Sequence, residues 1–258
     1  MPGPRKAVYG EPAAPYGILH AMSDDLNDAF QTYYPPRRGA RRWAFRALSA
    51  CLAAGERARR AGFGGRLLVN ERIVEYPLVF RWLRPAGRVL DIGCVSSRLP
   101  VQLACLGYEV HGLDVRPYPY SHPNLRFHQS DVMTWEPAAP FDSVLLVSTI
   151  EHFGLGGYGD PASADADRLA VERIRGWLAP GGQLLVSVPF GQPAVTYKHR
   201  IYDPAQLAAL FADFRWVEAR YFARLDGAWQ PSTEAQAARL ASPGMPVNGV
   251  AVLNLEMT

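Results

Sequence analysis

The sequence predicts an α/β protein built on a doubly wound, mostly parallel sheet, with an N-terminal helical extension. Three observations carry that expectation. Strand-like and helix-like segments alternate from about residue 71 to residue 213, the rhythm of βαβ units with helices on both faces of a sheet. The run Arg88-Val-Leu-Asp-Ile-Gly-Cys-Val-Ser-Ser97 leads an apolar strand into an acid, a glycine and small residues, as at the first strand-to-helix turn where such sheets bind ligands. Finally, 258 residues at 48% hydrophobic fill one such core with a modest extension, and not two enzymatic domains.

Along the chain, residues 1–19 are rich in Pro, Gly and Ala and read as an arm, poorly ordered or ordered only by packing on the domain. Over 41–61, Phe45, Leu48 and Leu52 form one apolar helical stripe while Arg41, Arg42, Arg46, Arg57 and Arg60 populate the rest. That basic face is either solvated or turned to an anionic substrate. A glycine-rich break at 62–65 precedes a helical pattern over 71–83, which divides the chain into an extension on the lid or substrate side, 1–69, and a sheet domain, 70–258. Strands are expected at 88–92, 109–113, 125–128, 143–147 and 183–188, and helices at 97–106, 166–178 and 204–213. The tail breaks the rhythm. Segments 215–221 and 249–256 both look like strands, joined by a loop rich in Pro, Ser and Ala, and are expected to form an antiparallel hairpin at one sheet edge.

A formal charge of +3 is mildly basic, and Lys6 and Lys198 are the only lysines. The arginine bias fits a GC-rich genome better than a nucleic-acid partner. Cys51, Cys94 and Cys105 are an odd, widely spaced set without a CxxC pair, which argues against a disulfide framework and a structural zinc site and fits a reducing cytoplasm. Residues 1–40 contain no apolar run of roughly 7–15 residues as a signal peptide requires, and nowhere is there a span of about 20 apolar residues. A soluble, cytoplasmic protein is expected, with no membrane partner.

The strand-to-helix turn also points to a ligand. Gly93 lets a backbone approach a ligand where a side chain would collide, and Asp91 sets a carboxylate beside that spot. An acid there disfavours a pyrophosphate but suits the ammonium of an amino acid, which tilts the reading from NAD towards S-adenosylmethionine. The second strand ends in His111-Gly-Leu-Asp114, about 20 residues beyond the glycine, where a carboxylate accepts from ribose hydroxyls. Such charge-assisted bonds contribute about 1.5–3 kcal/mol each. This acid is shared with NAD-binding domains, whereas the missing GxGxxG is not. After the third strand, Asp131 either accepts from an adenine amino group or serves as a turn or cap aspartate.

The motifs Val89-Leu-Asp-Ile-Gly93, Gly112-Leu-Asp114, Ser130-Asp131, Phe141-Asp142-Ser-Val and Leu178-Ala-Pro-Gly-Gly-Gln-Leu-Leu resemble, in order, those of class I S-adenosylmethionine-dependent methyltransferases. The resemblance covers about residues 70–258. It implies a Rossmann-like, seven-stranded sheet with an antiparallel last strand, S-adenosylmethionine as cofactor and S-adenosylhomocysteine as product. It also implies cofactor contacts at Asp91, Gly93, Asp114 and Asp131, and the expected set extends to their neighbours Cys94, Val115 and Val132 and to Ser148. The family's glycine-rich turn continues here as Cys94, Val95, Ser96 and Ser97. Together, Ser148-Thr-Ile-Glu-His-Phe-Gly-Leu-Gly-Gly-Tyr-Gly-Asp160, Asp114-Val-Arg-Pro-Tyr118 and Val188-Pro-Phe-Gly191 resemble a poorly characterised bacterial subgroup associated with sugar, glycan or small-metabolite methylation.

A sulfonium methyl is already electrophilic, so positioning supplies much of the rate. For a hydroxyl acceptor a general base adds roughly 10²–10⁴-fold. His152, directly after the fourth strand with Glu151 beside it, is the candidate base, against a reading in which it bonds the backbone or packs over the cofactor. Gly154, Gly156, Gly157 and Gly159 form either a mobile cover or a plain surface loop. Lys198-His-Arg-Ile-Tyr202 follows the fifth strand and is expected at the same mouth, with His199 and Tyr202 in catalytic roles and Arg200 binding an anionic acceptor group. Tyr33, Tyr34 and Tyr76 either wall the acceptor pocket or belong to the core. Glu151, His152 and His199 resemble part of the site of metal-dependent O-methyltransferases, but their first glutamate is Ser148 here, and a divalent metal is not expected. The expected reaction is methylation of a hydroxyl, less often an amine, of a small molecule such as a sugar. The alternatives are an RNA or DNA methyltransferase and a non-catalytic member of the fold.

Overall fold

The computed structural model describes residues 51, 54–55, 70–85, 87–157, 162–196, 199–242 and 247–258. The arm over 1–19, Tyr33, Tyr34, most of the helix expected over 41–61, the 62–65 break, Gly159 and Lys198 lie outside the described residues. Asn70–Thr258 forms one compact unit. It opens with helix α1 (Arg72–Trp82), followed by β1 (Arg88–Ile92), a 3-10 turn at Cys94–Ser96, α2 (Leu99–Cys105), β2 (Glu109–Asp114), β3 (Leu125–Gln129) and β4 (Phe141–Val147). A second 3-10 turn, Ile150–His152, leads to α3 (Ala166–Trp177), β5 (Leu178–Pro189), the short strands β6 (Ala194–Val195) and β7 (Arg200–Ile201), and α4 (Pro204–Leu210). The chain ends with β8 (Phe214–Leu225), β9 (Ala228–Ser232), the single turn α5 (Glu234–Ala237) and β10 (Gly249–Met257).

The main sheet runs β3-β2-β1-β4-β5-β10-β8-β9. Its first five strands are parallel, and β10 is antiparallel to both β5 and β8. This is the doubly wound, mostly parallel sheet with an antiparallel last strand that the sequence predicts, and β9 adds an eighth strand to the seven expected.

The two tail segments pair antiparallel as expected, Tyr221 opposite Ala251, but they do not themselves form the sheet edge, because β9 lies outside β8. Residues Gly249 to Leu255 of β10 are all buried, and a strand apolar on both faces belongs inside a sheet. It therefore inserts between β5 and β8, and the edge passes to β9, largely exposed and carrying Pro231, a residue that suits an edge because it has no N–H to donate. The helix expected over 97–106 also starts later, because the 3-10 turn and an extended Ser97 precede it.

Alternating residues of the central strands fall into two clusters, as a period of two requires. Leu90, Val144, Leu146, Leu184, Val186 and Leu253 pack with Val171, Ile174 and Trp177 of α3 and Leu207 of α4. Val89, Leu145, Val147, Leu185 and Val252 pack with Val79 and Trp82 of α1 and Leu99 and Leu103 of α2. Local signals set the helices: α3 buries positions 166, 170, 171, 174 and 177 as one stripe, and α4 begins with Pro204 behind an Asp203–Gln206 capping box. Leu145 and Leu146 are fully buried on opposite faces. Either truncation to alanine is expected to cost about 2–5 kcal/mol in denaturant unfolding.

Candidate functional site

A cavity of about 450 Å³ opens where the carboxyl ends of β1 to β4 meet α1, within the range of about 300–1,000 Å³ typical of small-molecule sites. Of the expected residues, Gly93, Asp114, Val115, Asp131, Val132, Ser148 and His152 line it.

Gly93 sits at φ 74° and its N–H donates to the Leu113 carbonyl at 2.8 Å. A Cβ there would come within 2.3 Å of Thr149 Cγ2. Left-handed backbone and close packing on the β4 loop thus demand glycine there, in addition to its place on the cavity wall. The turn that follows supplies a donor despite having no further glycine, since the Val95 N–H donates to Asp114 Oδ2 at 3.0 Å. Asp114 is buried. Its Oδ1 also accepts from Arg116 N at 3.0 Å and from Nε at 3.2 Å. Asp131 Oδ1 accepts the Met133 N–H at 2.8 Å, so this aspartate shapes its own turn while it lines the cavity.

Asp91 and Cys94 are buried just behind the cavity rather than on its wall. Burial pushes the Asp91 carboxyl up from 3.8 to about 7, with Arg72 opposing the rise and Asp114 adding to it. Asp91 Oδ2 has no hydrogen-bond partner among the described residues. Cys94 faces the sheet, within 3.0 Å of where a Cβ on Gly112 would lie. Its thiol is pushed upward by burial and by Asp91 and Asp114.

Two residues missed by sequence reasoning sit at the same end. Glu75 is fully buried on α1, and its Oε1 accepts from Ser148 Oγ at 2.6 Å and Ser187 Oγ at 2.8 Å. Its Oε2 lies 3.4 Å from Arg72, whose side chain reaches the cavity. Burial raises the Glu75 carboxyl, while Arg72 and the two serines pull it back. This bracket holds Ser148 at φ 48°, a conformation that costs a non-glycine residue energy and gathers at functional sites. The available signal was a glutamate in line with Val79 and Trp82 on the buried stripe of α1. Tyr76 turns from the cavity and hydrogen-bonds Ser97 Oγ at 2.7 Å, with the Arg72 guanidinium over its ring.

His152 faces the cavity, and its Nε2 lies 3.7 Å from Glu151 Oε1. Glu151 is buried, and burial raises its carboxyl well above the usual range, with the nearby Glu75 adding to the rise. The structure does not bring His199, Arg200 and Tyr202 to this cavity. His199 is buried beside Thr196 in the β6–β7 turn. Tyr202 donates to Asp167 at 2.9 Å, and its hydroxyl is pushed upward by burial and by that carboxylate. Arg200 donates to main-chain carbonyls. Arg200 and Tyr202 instead line a second cavity of about 670 Å³. The single-mouth expectation failed because the chain turns away after β5 through the β6–β7 pairing. Among the described residues no group of three or more His, Cys, Asp or Glu could hold a metal ion.

A family model described as a Caenorhabditis protein of unknown function, DUF268, matches residues 129–240. Among solved structures, the chain is similar to the Burkholderia thailandensis 1,6-didemethyltoxoflavin-N1-methyltransferase with bound 1,6-didemethyltoxoflavin and S-adenosylhomocysteine: TM-score 0.53, 19% identity, covering 86% of this chain and 92% of that one. It is also similar to the N-methyltransferase NodS of Bradyrhizobium japonicum WM9 in complex with S-adenosylhomocysteine, at TM-score 0.50 and 17% identity over 72% and 87% of the two chains. The [4+2]-cyclase SpnF matches at TM-score 0.50 and 17% identity over 71% and 79%. The fold is that of the class I S-adenosylmethionine-dependent methyltransferases, one that also carries other chemistry.

The folded protein holds the Asp91 proton more tightly than the unfolded chain does. That contribution to stability is complete below about pH 3.8 and lost as pH rises through about 7. Asp91→Asn, which cannot ionise, should therefore gain stability relative to wild type between about pH 4 and pH 8 in denaturant titrations. A difference independent of pH would show that Asp91 ionises as freely in the fold as outside it.

Proposed function

We propose that this chain is an S-adenosylmethionine-dependent methyltransferase acting on a hydroxyl, or less often an amine, of a small molecule, with a sugar or natural-product intermediate as the first acceptor class. The observation that carries the reading is the convergence of Gly93, Asp114, Asp131 and Ser148 on one cavity at the carboxyl edge of the sheet. The donor set fits the cofactor. The Asp114 carboxylate, held by the Val95 N–H, is the acceptor for ribose hydroxyls. Val115, Val132 and Met133 offer apolar surface for the base. Buried Asp91, with one oxygen unpartnered among the described residues, and Arg72 on the cavity wall are the charges for the amino-acid end.

When bound, the cofactor supplies an electrophilic methyl group, and the chain's own residues supply position and proton transfer. His152 is the base that takes the acceptor's proton as the new bond forms, a role worth roughly 10²–10⁴-fold. Glu151, buried 3.7 Å from it, is the carboxyl placed to give up its proton and regain charge beside the resulting imidazolium. Ser148, fixed by Glu75 and Ser187, completes the wall between these groups and Arg72. The odd, widely spaced cysteine set suits a reducing cytoplasm, where we place the reaction; no helix among the described residues is long and apolar enough to cross a membrane. The sugar, glycan or small-metabolite subgroup follows from the motif resemblance, and the two methyltransferase neighbours that carry the fold argument act, by their names, as N-methyltransferases, which keeps an amine acceptor in the screen.

Calorimetric titration with S-adenosylmethionine and S-adenosylhomocysteine, with NAD as control, tests the reading, and binding of neither sulfur ligand would sink it. Asp114→Ala should weaken S-adenosylhomocysteine by about 10–100-fold, as loss of charge-assisted hydrogen bonds predicts. In a screen of sugars, phenols and amines, His152→Ala should lower turnover about 10²–10⁴-fold while leaving cofactor affinity within about twofold. Wild-type turnover in that variant would remove the assigned role.

A further inference from the structure

Arg200 is buried at the start of β7, and its guanidinium is committed to the main chain of another segment. Nη1 donates to the Phe153 carbonyl. Nη2 donates to the Ser163 carbonyl at 3.1 Å and to that of Ala164 at 3.4 Å. Nε lies 3.8 Å from the Asp167 carboxylate, which also accepts the Tyr202 hydroxyl at 2.9 Å. Phe153 follows the 3-10 turn after β4, and Ser163 and Ala164 precede α3, so one side chain ties together two points ten residues apart.

The chain closes on itself at the same place. Ser163 N–H donates to the Gly154 carbonyl at 2.9 Å. Gly154 sits at φ 70°, and a Cβ there would come within 2.3 Å of the Ser163 carbonyl oxygen. Phe153, Gly154 and Ser163, with His152 and Ala166, form one wall of the 450 Å³ cavity. A buried cation must be paired or hydrogen-bonded, and only a planar fork with several donors can satisfy carbonyls on two chain segments at once. Lysine offers a point charge in place of that fork.

We propose that Arg200 is a positioning residue for this wall: by joining Phe153 to Ser163 and Ala164 it fixes where His152 and Gly154 face the cavity, and sets ligand affinity from outside it. The affinity half of the proposal rests on the cofactor reading above, whereas the cross-link stands without it.

Backbone hydrogen exchange on the ligand-free full chain tests the cross-link. In Arg200→Lys, amides of residues 152–157 and 163–167 should exchange about tenfold faster, as expected for loss of hydrogen bonds to a charged group, while those inside β4 and β5 stay unchanged. Tyr202→Phe removes only the hydroxyl that orients Asp167, and should shift the same amides in the same direction by a smaller factor. It serves as the second variant if Arg200→Lys does not fold. Arg168→Ala, which breaks the exposed pair with Glu172, should leave these amides as in wild type. Unchanged exchange over 152–157 and 163–167, or an increase spread equally through β4 and β5, would overturn the cross-link. Titration with S-adenosylhomocysteine then reads the second half, with a five- to tenfold weaker dissociation constant expected in Arg200→Lys, roughly the loss of one such bond. Equal affinity despite faster exchange overturns the link to the cavity. No binding by wild type sinks the cofactor reading and leaves exchange to decide the cross-link alone.

Discussion

Two-sided burial of the central strands is the constraint from which the rest of the structure follows. β1, β4, β5 and β10 are apolar on both faces, and their alternating side chains feed two separate cores. Such strands leave little place for ionisable groups along their length, because an unpaired polar group there costs a few kcal/mol. Polar chemistry therefore collects past the strand ends, where the chain turns and backbone donors become free to orient it. Asp114, Asp131, Ser148 and His152 all lie within a few residues of such an end, and the cavity they line opens at the carboxyl edge of the parallel strands. The inserted β10 extends the apolar floor and moves the exposed edge away to β9.

Charge at that edge is unevenly distributed. Asp91, Glu75 and Glu151 are all buried near the end of the cavity where Arg72 enters, and burial raises all three carboxyls. Buried acids crowded around one guanidinium favour a cationic ligand, since a positive group placed among them recovers part of the solvation they lost. The proposed cofactor, with its ammonium and sulfonium, is a ligand of that charge, and a pyrophosphate is not. The strained turn at Ser148 belongs to the same arrangement. Its backbone and hydroxyl are satisfied by Ser187 and Glu75, so the cost of the left-handed conformation is met by bonds drawn from α1 and β5.

The neighbours place the chain in a fold and go no further. At 17–19% identity they share its sheet with two N-methyltransferases and with a cyclase, and the matching family model is described only as of unknown function. The cavity wall that the β4–α3 segment contributes is tied by Arg200 to the main chain of Phe153 and Ser163. Its constituents come from positions that fold-level likeness does not constrain.

The sequence by itself determined the parallel sheet, the glycine turn after β1 and the acids at the ends of β1 and β2, because these depend on local period, on backbone freedom at one residue and on the chain order of βαβ units. It also located His152, whose place after β4 is a matter of counting. Only the tertiary structure decided that β10 enters the sheet interior, that Gly93 is demanded by Thr149, and that Glu75 and Arg72 belong to the site at all. It alone removed His199, Arg200 and Tyr202 from the cavity they were expected to share with His152. Each of these is set by contacts between residues far apart in the chain, such as Glu75 with Ser187 or Arg200 with Phe153. A buried charge finds its partner through the packing of whole elements, and no local pattern in the sequence records which partner that is.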